Sequence, residues 1–203
     1  MNKPIKIKFW IESLSVEYGG PSSSIPSLIK QLIKLKYPED KIEVIGCDYI
    51  SPIPSKLYSD LPVKLKVYRS LISNKFRFSL KVFGEEIKER DKVLHVINNS
   101  WNLWMLIPFL LSRIKNQEYI VYVRGAISEY SLSQKNVKKS IASFLYQRTI
   151  YRNAKYVICT SKYEMDYVNK YVRDRVRTVL IPHGIHLSEI KEIRINKLPS
   201  KNI

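Results

Sequence analysis

The sequence predicts an α/β domain: a Rossmann-like, doubly wound parallel sheet of about seven strands with helices on both faces. Three observations carry this. Strand and helix patterns alternate along the chain as a βαβα series. The later strand patterns are apolar on both faces, as strands covered by helices on each side must be. The alternation also demands right-handed crossovers, which place every strand's carboxyl end on one rim.

Each element has its own signal. Lys6–Ile11 reads as the first strand. Ile25, Leu28, Ile29, Leu32 and Ile33 follow helical spacing with one buried stripe; Ser22, Ser23 and Ser24 can cap its start, and Pro26 is tolerable in the first turn. Ile42–Cys47 is a second strand. Val63, Leu65 and Val67 alternate with Lys64, Lys66 and Tyr68, predicting a third strand with one apolar and one wet face. Pro52, Pro54 and Pro62, with Ser51, Ser55 and Ser59, make residues 48–62 a loop. A helix is expected from Phe76 to Arg90, a strand at Val93–Ile97, a helix from Trp101 to Ile114 and a strand at Tyr119–Val123. A long helix from Val137 to Asn153, a strand at Tyr156–Cys159, a helix from Lys162 to Val172 and a strand at Val176–Ile181 complete the series.

A chain of 203 residues holds one large domain. It buries roughly 70% of its unfolded surface without a metal or disulfide. Residues 1–185 are expected to form that domain, and residues 186–203 a linker approaching a second one. Cys47 and Cys159, far apart, make neither a disulfide framework nor a zinc site and imply a reducing cytoplasm. Lys3 to Trp10 is a lysine-broken strand pattern, not a signal peptide. The longest apolar run, Leu103 to Leu111, is about half a membrane span. Thirty-five Lys and Arg against eighteen Asp and Glu give a net charge of +17. Such a field favours an anionic partner: nucleic acid, an anionic lipid surface or a phosphorylated ligand. Richness in Lys, Ile, Tyr and Asn is also what an AT-rich genome produces without selection for binding.

In open α/β sheets ligands bind beyond the carboxyl ends of the strands. After the first strand comes Gly19-Gly20-Pro21-Ser22, where a helix start offers unpaired N–H groups that suit a phosphate. It is neither a G-x-G-x-x-G turn nor a G-x-x-x-x-G-K loop, so neither nicotinamide nor ATP chemistry is indicated, and an ordinary tight turn accounts for it equally. The fourth strand carries His95, which a core role explains as readily as a functional one, and leads into Asn98, Asn99, Ser100 and Trp101, a sugar-binding palette. The fifth ends at Arg124 and Gly125, and this arginine could pair with a phosphate or carboxylate. The sixth ends at Thr160 and Ser161, with Glu164 at capping-box spacing, which structure alone explains. The last strand ends in Pro182, His183 and Gly184, a sharp turn expected to be an interdomain hinge. His183 and His186 lack the further ligands a metal needs, so no metal site is expected.

These rim segments, in this order, resemble the N-terminal domain of glycosyltransferase family 4, the retaining GT-B enzymes. The match runs from Lys6 to about Ile185 and rests on Gly19-Gly20-Pro21-Ser22, Val93-Leu94-His95-Val96, Tyr122-Val123-Arg124-Gly125-Ala126, Cys159-Thr160-Ser161-Lys162-Tyr163-Glu164 and Val179 to Ile185. The loop around Arg124 looks like a branch common in cell-surface polysaccharide synthesis. The resemblance implies a nucleotide-sugar donor as substrate, no cofactor and no metal. It implies that Gly19 and Gly20 meet the donor diphosphate and that the other rim residues hold a glycan acceptor. A C-terminal domain absent from this sequence would supply the donor site and the catalytic residues, so the chain alone is expected not to turn over. Arg124 stands where many relatives carry a histidine, and His183 and His186 depart from the usual Pro-Asn-Gly-Ile-Asp hinge.

A peripheral site on the inner face of the membrane is a further expectation. Lys56, Lys64, Lys66, Arg69, Lys75, Arg77 and Lys81 lie near Phe76, Phe78 and Val82, with Asp60 opposing, a mixture that suits an anionic leaflet and a lipid-linked acceptor. The alternative class is a non-enzymatic module that binds an anionic membrane or nucleic acid. No nucleic-acid motif is present, so nucleic acid is the less favoured partner.

Overall fold

A computed structural model describes residues 4–15, 20–48, 54–70, 79–98, 103–125, 146–172 and 176–182. Among these, the strands are β1 (Lys6–Trp10), β2 (Ile42–Asp48), β3 (Lys64–Arg69), β4 (Val93–Ile97), β5 (Glu118–Tyr122), β6 (Tyr156–Cys159) and β7 (Thr178–Leu180). They form one seven-stranded sheet in the order β3-β2-β1-β4-β5-β6-β7, every pair parallel. The helices are α1 (Pro21–Lys34), α2 (Lys56–Ser59), α3 (Leu80–Glu86), α4 (Leu106–Ile114), α5 (Arg148–Asn153) and α6 (Lys162–Val172). The expected open parallel sheet is the observed one.

Strand periodicity sorts the side chains into layers. Phe9, Ile11 and Val44 pack with Ile25 and Ile29 of α1, Tyr58 of α2, and Val96 on one face of the sheet. On the opposite face, Trp10, Ile45, Cys47 and Tyr68 pack under Val82 of α3 and Trp104, Ile107 and Leu111 of the α4 region. Farther along, Tyr119, Val121, Val157 and Cys159 sit against Ile150 and Tyr151 of α5 and Val168, Tyr171 and Val172 of α6. Cys47 and Cys159 are both free and buried.

Four local readings change. The loop expected over 48–62 contains α2, one helical turn that starts after Ser55 and buries Tyr58 completely. Tyr58 donates its hydroxyl proton to the Pro21 carbonyl at 2.9 Å, tying this turn to the start of α1. The helix expected from Phe76 to Arg90 runs, among the described residues, from Leu80 to Glu86; of the helix expected from Val137 to Asn153, Arg148–Asn153 is helical and ends where expected, and residues 137–145 lie outside the described residues. The helix before Ile114 opens as a 3-10 turn, Leu103–Met105, and then places Pro108 within the first turn of α4, where its missing N–H is harmless.

The fourth change is larger. The wet face of β3 is covered. Lys66 reaches Glu86 of α3 at 2.5 Å and Tyr68 donates to Glu85 at 2.6 Å. Lys8 on β1, only 1% exposed, contacts Glu86, Glu43 on β2 at 3.3 Å and Glu89 at 3.0 Å, while Lys6 bridges Glu43 at 3.2 Å and Glu89 at 2.6 Å. Lys6, Lys8 and Lys66 thus balance Glu43, Glu86 and Glu89 in a mostly buried cluster. Buried carboxylates require such partners, because an unpaired one carries a desolvation penalty of several kcal/mol. The lysine neighbours hold the Glu43 and Glu89 carboxyls below the usual carboxylate range against the opposing effect of burial.

Candidate functional site

The strand order reverses direction between β1 and β4, and the crevice beyond this point is where open α/β sheets bind ligands. A cavity of about 490 Å³ lies at this carboxyl rim, lined by Gly20, Pro21, Ser23, Ser24, Arg124 and Thr160. It brings together residues from the segments after β1, β5 and β6. Ser23 and Ser24 entered the sequence reading only as caps; their place on the cavity wall follows from helical spacing on the exposed side of α1.

The wall contributed by α1 starts at Gly20, which stands at the N-cap with ordinary right-handed backbone angles. A Cβ built on Gly20 meets nothing within 4 Å. Neither backbone strain nor crowding demands glycine here; the space beside it opens into the cavity. Ser23 and Ser24 turn their N–H groups back to the Gly20 carbonyl at 3.3 and 3.1 Å. Ser22 faces inward and is buried.

Arg124 forms the opposite wall. Its φ of +48° is left-handed, an unusual conformation for a non-glycine residue, and Gly125 follows at +73°. Two successive left-handed residues reverse the chain at once after Val123, which throws the guanidinium back across the rim. There it donates to the Ser24 hydroxyl and to Asn98 Oδ1 at 3.3 Å and stacks 5.1 Å from the Tyr122 ring centroid. Burial pulls the Arg124 guanidinium below its ordinary value, opposed by Tyr122, Tyr58 and Glu164. Asn98 is itself fixed, donating from Nδ2 to the Val96 carbonyl at 3.1 Å.

Glu164 holds this turn in place. One carboxylate oxygen accepts from Gly125 N–H; the other accepts from Thr160 N–H at 2.6 Å and from the Thr160 hydroxyl at 3.0 Å. Ser161 caps α6 by accepting from Glu164 N–H at 3.1 Å. The pair is therefore half a capping box: the serine does its part, and the carboxylate is committed across the rim to the loop after β5. Its lone pairs are occupied by donors, which makes it a brace. The Cys159 thiol beneath it is pushed up to about 12 by burial, with Glu164 adding to the shift, and is not a nucleophile.

His95 is not on the rim. It lies midway along β4, 2% exposed, and its ring accepts from Trp10 Nε1–H at Nδ1, 3.0 Å away, and meets Gln117 Oε1 from Nε2 at 3.0 Å. Accepting at Nδ1 leaves the proton on Nε2, which donates to Gln117. Burial draws its pKa down to about 4, with Gln117 opposing and Lys8 assisting. The ring is a satisfied core histidine pointing toward the opposite sheet edge. Gly19, Asn99, His183 and Gly184 lie outside the described residues, as do Lys75 and Arg77. Pro182 is described and follows the short strand β7. Of the basic surface set, Lys64, Arg69 and Lys81 are exposed, with Lys64 3.5 Å from Glu43 and Lys81 3.9 Å from Glu85, whereas Lys66 is drawn into the Glu86 cluster and offers no free charge to a surface. No group of His, Cys, Asp and Glu that could hold a metal occurs among the described residues.

An open parallel sheet with helices on both faces and an arginine-walled cavity at its switch point defines a Rossmann-like domain with an anion-compatible rim. No protein-family model matches the chain, and no curated protein does. Among solved structures, the chain is similar to Anabaena Alr3699/HepE in complex with UDP and glucose: TM-score 0.59, 17% identity, covering 89% of this chain and 45% of that one. The complex of the same protein with UDP-glucose gives TM-score 0.58 and 16% identity, covering 89% of this chain and 44% of that one. The complex with UDP gives 0.58 and 17%, with the same coverage. At these identities the likeness is one of fold, and the chain spans less than half the length of that protein.

Proposed function

We propose that the chain is the acceptor-side, Rossmann-like domain of a glycosyltransferase that moves a sugar from a nucleotide-sugar donor to a glycan acceptor, of the family 4 type. The observation that carries this reading is the cavity joining Gly20, Pro21, Arg124 and Thr160 at the switch point. Its support is the fold shared with a protein crystallised with UDP-glucose.

The chemistry follows from charge. Sugar transfer releases a nucleoside diphosphate, and negative charge builds on the departing phosphate as the glycosidic bond breaks. Fixed cations and helix-terminal N–H groups stabilise that charge without reorganising. Arg124 is pre-oriented by Asn98, Ser24 and Tyr122, so its charge is already in place. Gly20 lets a phosphate approach the start of α1. Asn98 and Thr160 present amide and hydroxyl groups suited to sugar hydroxyls. A donor-side domain closes the other half of the cleft. The acceptor is a lipid-linked glycan, presented while exposed Lys64, Arg69 and Lys81 rest on an anionic cytoplasmic leaflet.

The test joins this chain to a donor-side domain of the same fold family and follows release of UDP from UDP-glucose with a lipid-linked acceptor fraction. Transfer is expected, and Arg124→Ala is expected to lower kcat by about 10²-fold or more. A joined protein that is folded yet inert, or an Arg124→Ala variant as active as its parent, would overturn the reading and leave a non-enzymatic anion-binding module.

A further inference from the structure

The hydroxyl groups on the wall of the rim cavity have their protons already assigned. Thr160 lies on that wall and donates its hydroxyl proton to Glu164 Oε2 at 3.0 Å. The same oxygen takes the Thr160 N–H at 2.6 Å, and the other carboxylate oxygen takes the Gly125 N–H. Glu164 is 4% exposed, so the hydroxyl is held by a buried, charge-assisted bond, roughly twice as strong as a neutral one. On α1, Ser24 donates its hydroxyl proton to the Gly20 carbonyl at 2.8 Å while its oxygen accepts from Arg124. Ser23 likewise donates to the Gly20 carbonyl, at 3.2 Å.

A hydroxyl has a single proton to donate and otherwise accepts through its lone pairs. With its proton committed to Glu164, Thr160 turns only lone pairs toward the cavity. Ser24, with its proton on the Gly20 carbonyl, also meets the cavity as an acceptor. Among the described lining side chains, the donor is the Arg124 guanidinium. The cavity therefore has a polarity, with a donor on the Arg124 side and acceptors at Thr160 and Ser24. A fully ionised phosphate or carboxylate only accepts hydrogen bonds. Such a group matches Arg124, but beside Thr160 it sets lone pair against lone pair. A sugar hydroxyl matches Thr160, because it has a proton to give.

We infer that Thr160 is a specificity-determining residue that accepts a hydrogen bond from a ligand hydroxyl, and that Glu164 is the positioning residue that fixes this polarity. The ligand class at this wall is a neutral, hydroxyl-bearing ring, and any anionic group joined to it lies toward Arg124. Naming that ring as part of the glycan acceptor rests on the sugar-transfer reading; the polarity of the wall does not.

Two measurements test this. In the full 203-residue chain without ligand, the Thr160 hydroxyl proton should exchange with water slowly enough to be seen by NMR. Glu164→Gln should release it to exchange and move the Thr160 and Gly125 amide protons upfield, because both carboxylate oxygens accept here and an amide nitrogen does not. A hydroxyl proton that exchanges as fast in the parent as in this variant would overturn the polarity, whatever the protein catalyses. The second measurement uses the chain joined to a donor-side domain. Thr160→Val keeps the shape and deletes the hydroxyl; it should raise KM for the lipid-linked acceptor about three- to tenfold, the loss of one neutral hydrogen bond. Thr160→Ser should bring KM back to within about twofold of the parent, since it restores that bond. Inhibition by inorganic sulfate, which has no proton to give, should be equal in Thr160→Val and the parent. Weaker sulfate inhibition in the variant would show that Thr160 donates and overturn the proposal, as would an unchanged acceptor KM. Glu164→Gln should raise acceptor KM in the parent and not further in the Thr160→Val background; additive losses would overturn its role as the positioning residue. A joined protein that transfers no sugar removes the sugar-transfer reading and leaves the hydroxyl exchange to decide the polarity.

Discussion

His95 and Gly20 show how differently single residues respond to burial. His95 is held neutral, its pKa drawn down from 6.5 to about 4. The unfolded chain therefore binds more protons than the folded one between those values. Stability from this group is complete above pH 6.5 and is lost as pH falls toward 4, by up to about 3 kcal/mol. His95→Gln is expected to flatten the dependence of the urea midpoint on pH across this window, and an unchanged slope would show that other groups govern it. Gly20 is the opposite case: no atom crowds it, so Gly20→Ala should change stability by less than about 1 kcal/mol. If the rim accepts a donor diphosphate, the added methyl enters that space, and kcat/KM for sugar transfer should fall at least about tenfold. A variant with full activity would remove Gly20 from the site. The position of Arg124 at a rim was legible from a strand pattern ending at Val123. Its left-handed backbone and the tether of the next residue, Gly125, to Glu164 were not, because that hydrogen bond spans 39 positions and only the folded sheet brings the two loops together.

At the scale of elements, β1 and α3 are joined through charge where most α/β layers join through hydrocarbon. Lys8 touches Glu43 and Glu86 while 1% exposed. Lys8→Met should cost about 3–5 kcal/mol, because two buried carboxylates lose a shared partner. The urea midpoint should fall at an unchanged slope. Adding Glu86→Leu should restore part of the loss, and a fall as large in the double variant as in the single one would contradict the pairing. Periodicity in β3 identified the correct alternation of faces but assigned the lysine face to solvent, since charge pattern alone does not reveal a carboxylate-bearing helix laid over it. Elsewhere the pattern was sufficient: Tyr156–Cys159 and Lys162–Val172 are apolar or amphipathic over their whole length and have the bounds expected. Where prolines dominated, as before Ser55, the single turn of α2 stayed hidden, because its reason is tertiary: a fully buried Tyr58 reaching Pro21.

For the whole molecule, the buried lysine–glutamate cluster is balanced, three charges against three, and takes nothing from the net charge of +17. Exposed Lys64, Arg69 and Lys81 are one part of that field, and exposed Arg113 and Arg177 are another. No described helix is long and apolar enough to cross a membrane. If the first patch serves as a membrane contact, the chain should float with phosphatidylglycerol vesicles at low salt and be released as salt rises. Lys64→Glu with Lys81→Glu should abolish flotation through this patch. Equal flotation with neutral vesicles, insensitive to salt, would exclude it.

The sheet order carries one more consequence. β4 to β7 add side by side in the order of synthesis, but β1 lies between β2 and β4. Its Trp10 to His95 hydrogen bond closes a separation of 85 positions. While the chain emerges from the ribosome, β1 to β3 can pair only among themselves, leaving the inner edge of β1 unsealed until β4 arrives. The centre of the finished sheet thus stays open until Val93–Ile97 has been made, and closing that long loop is the step expected to limit the folding rate.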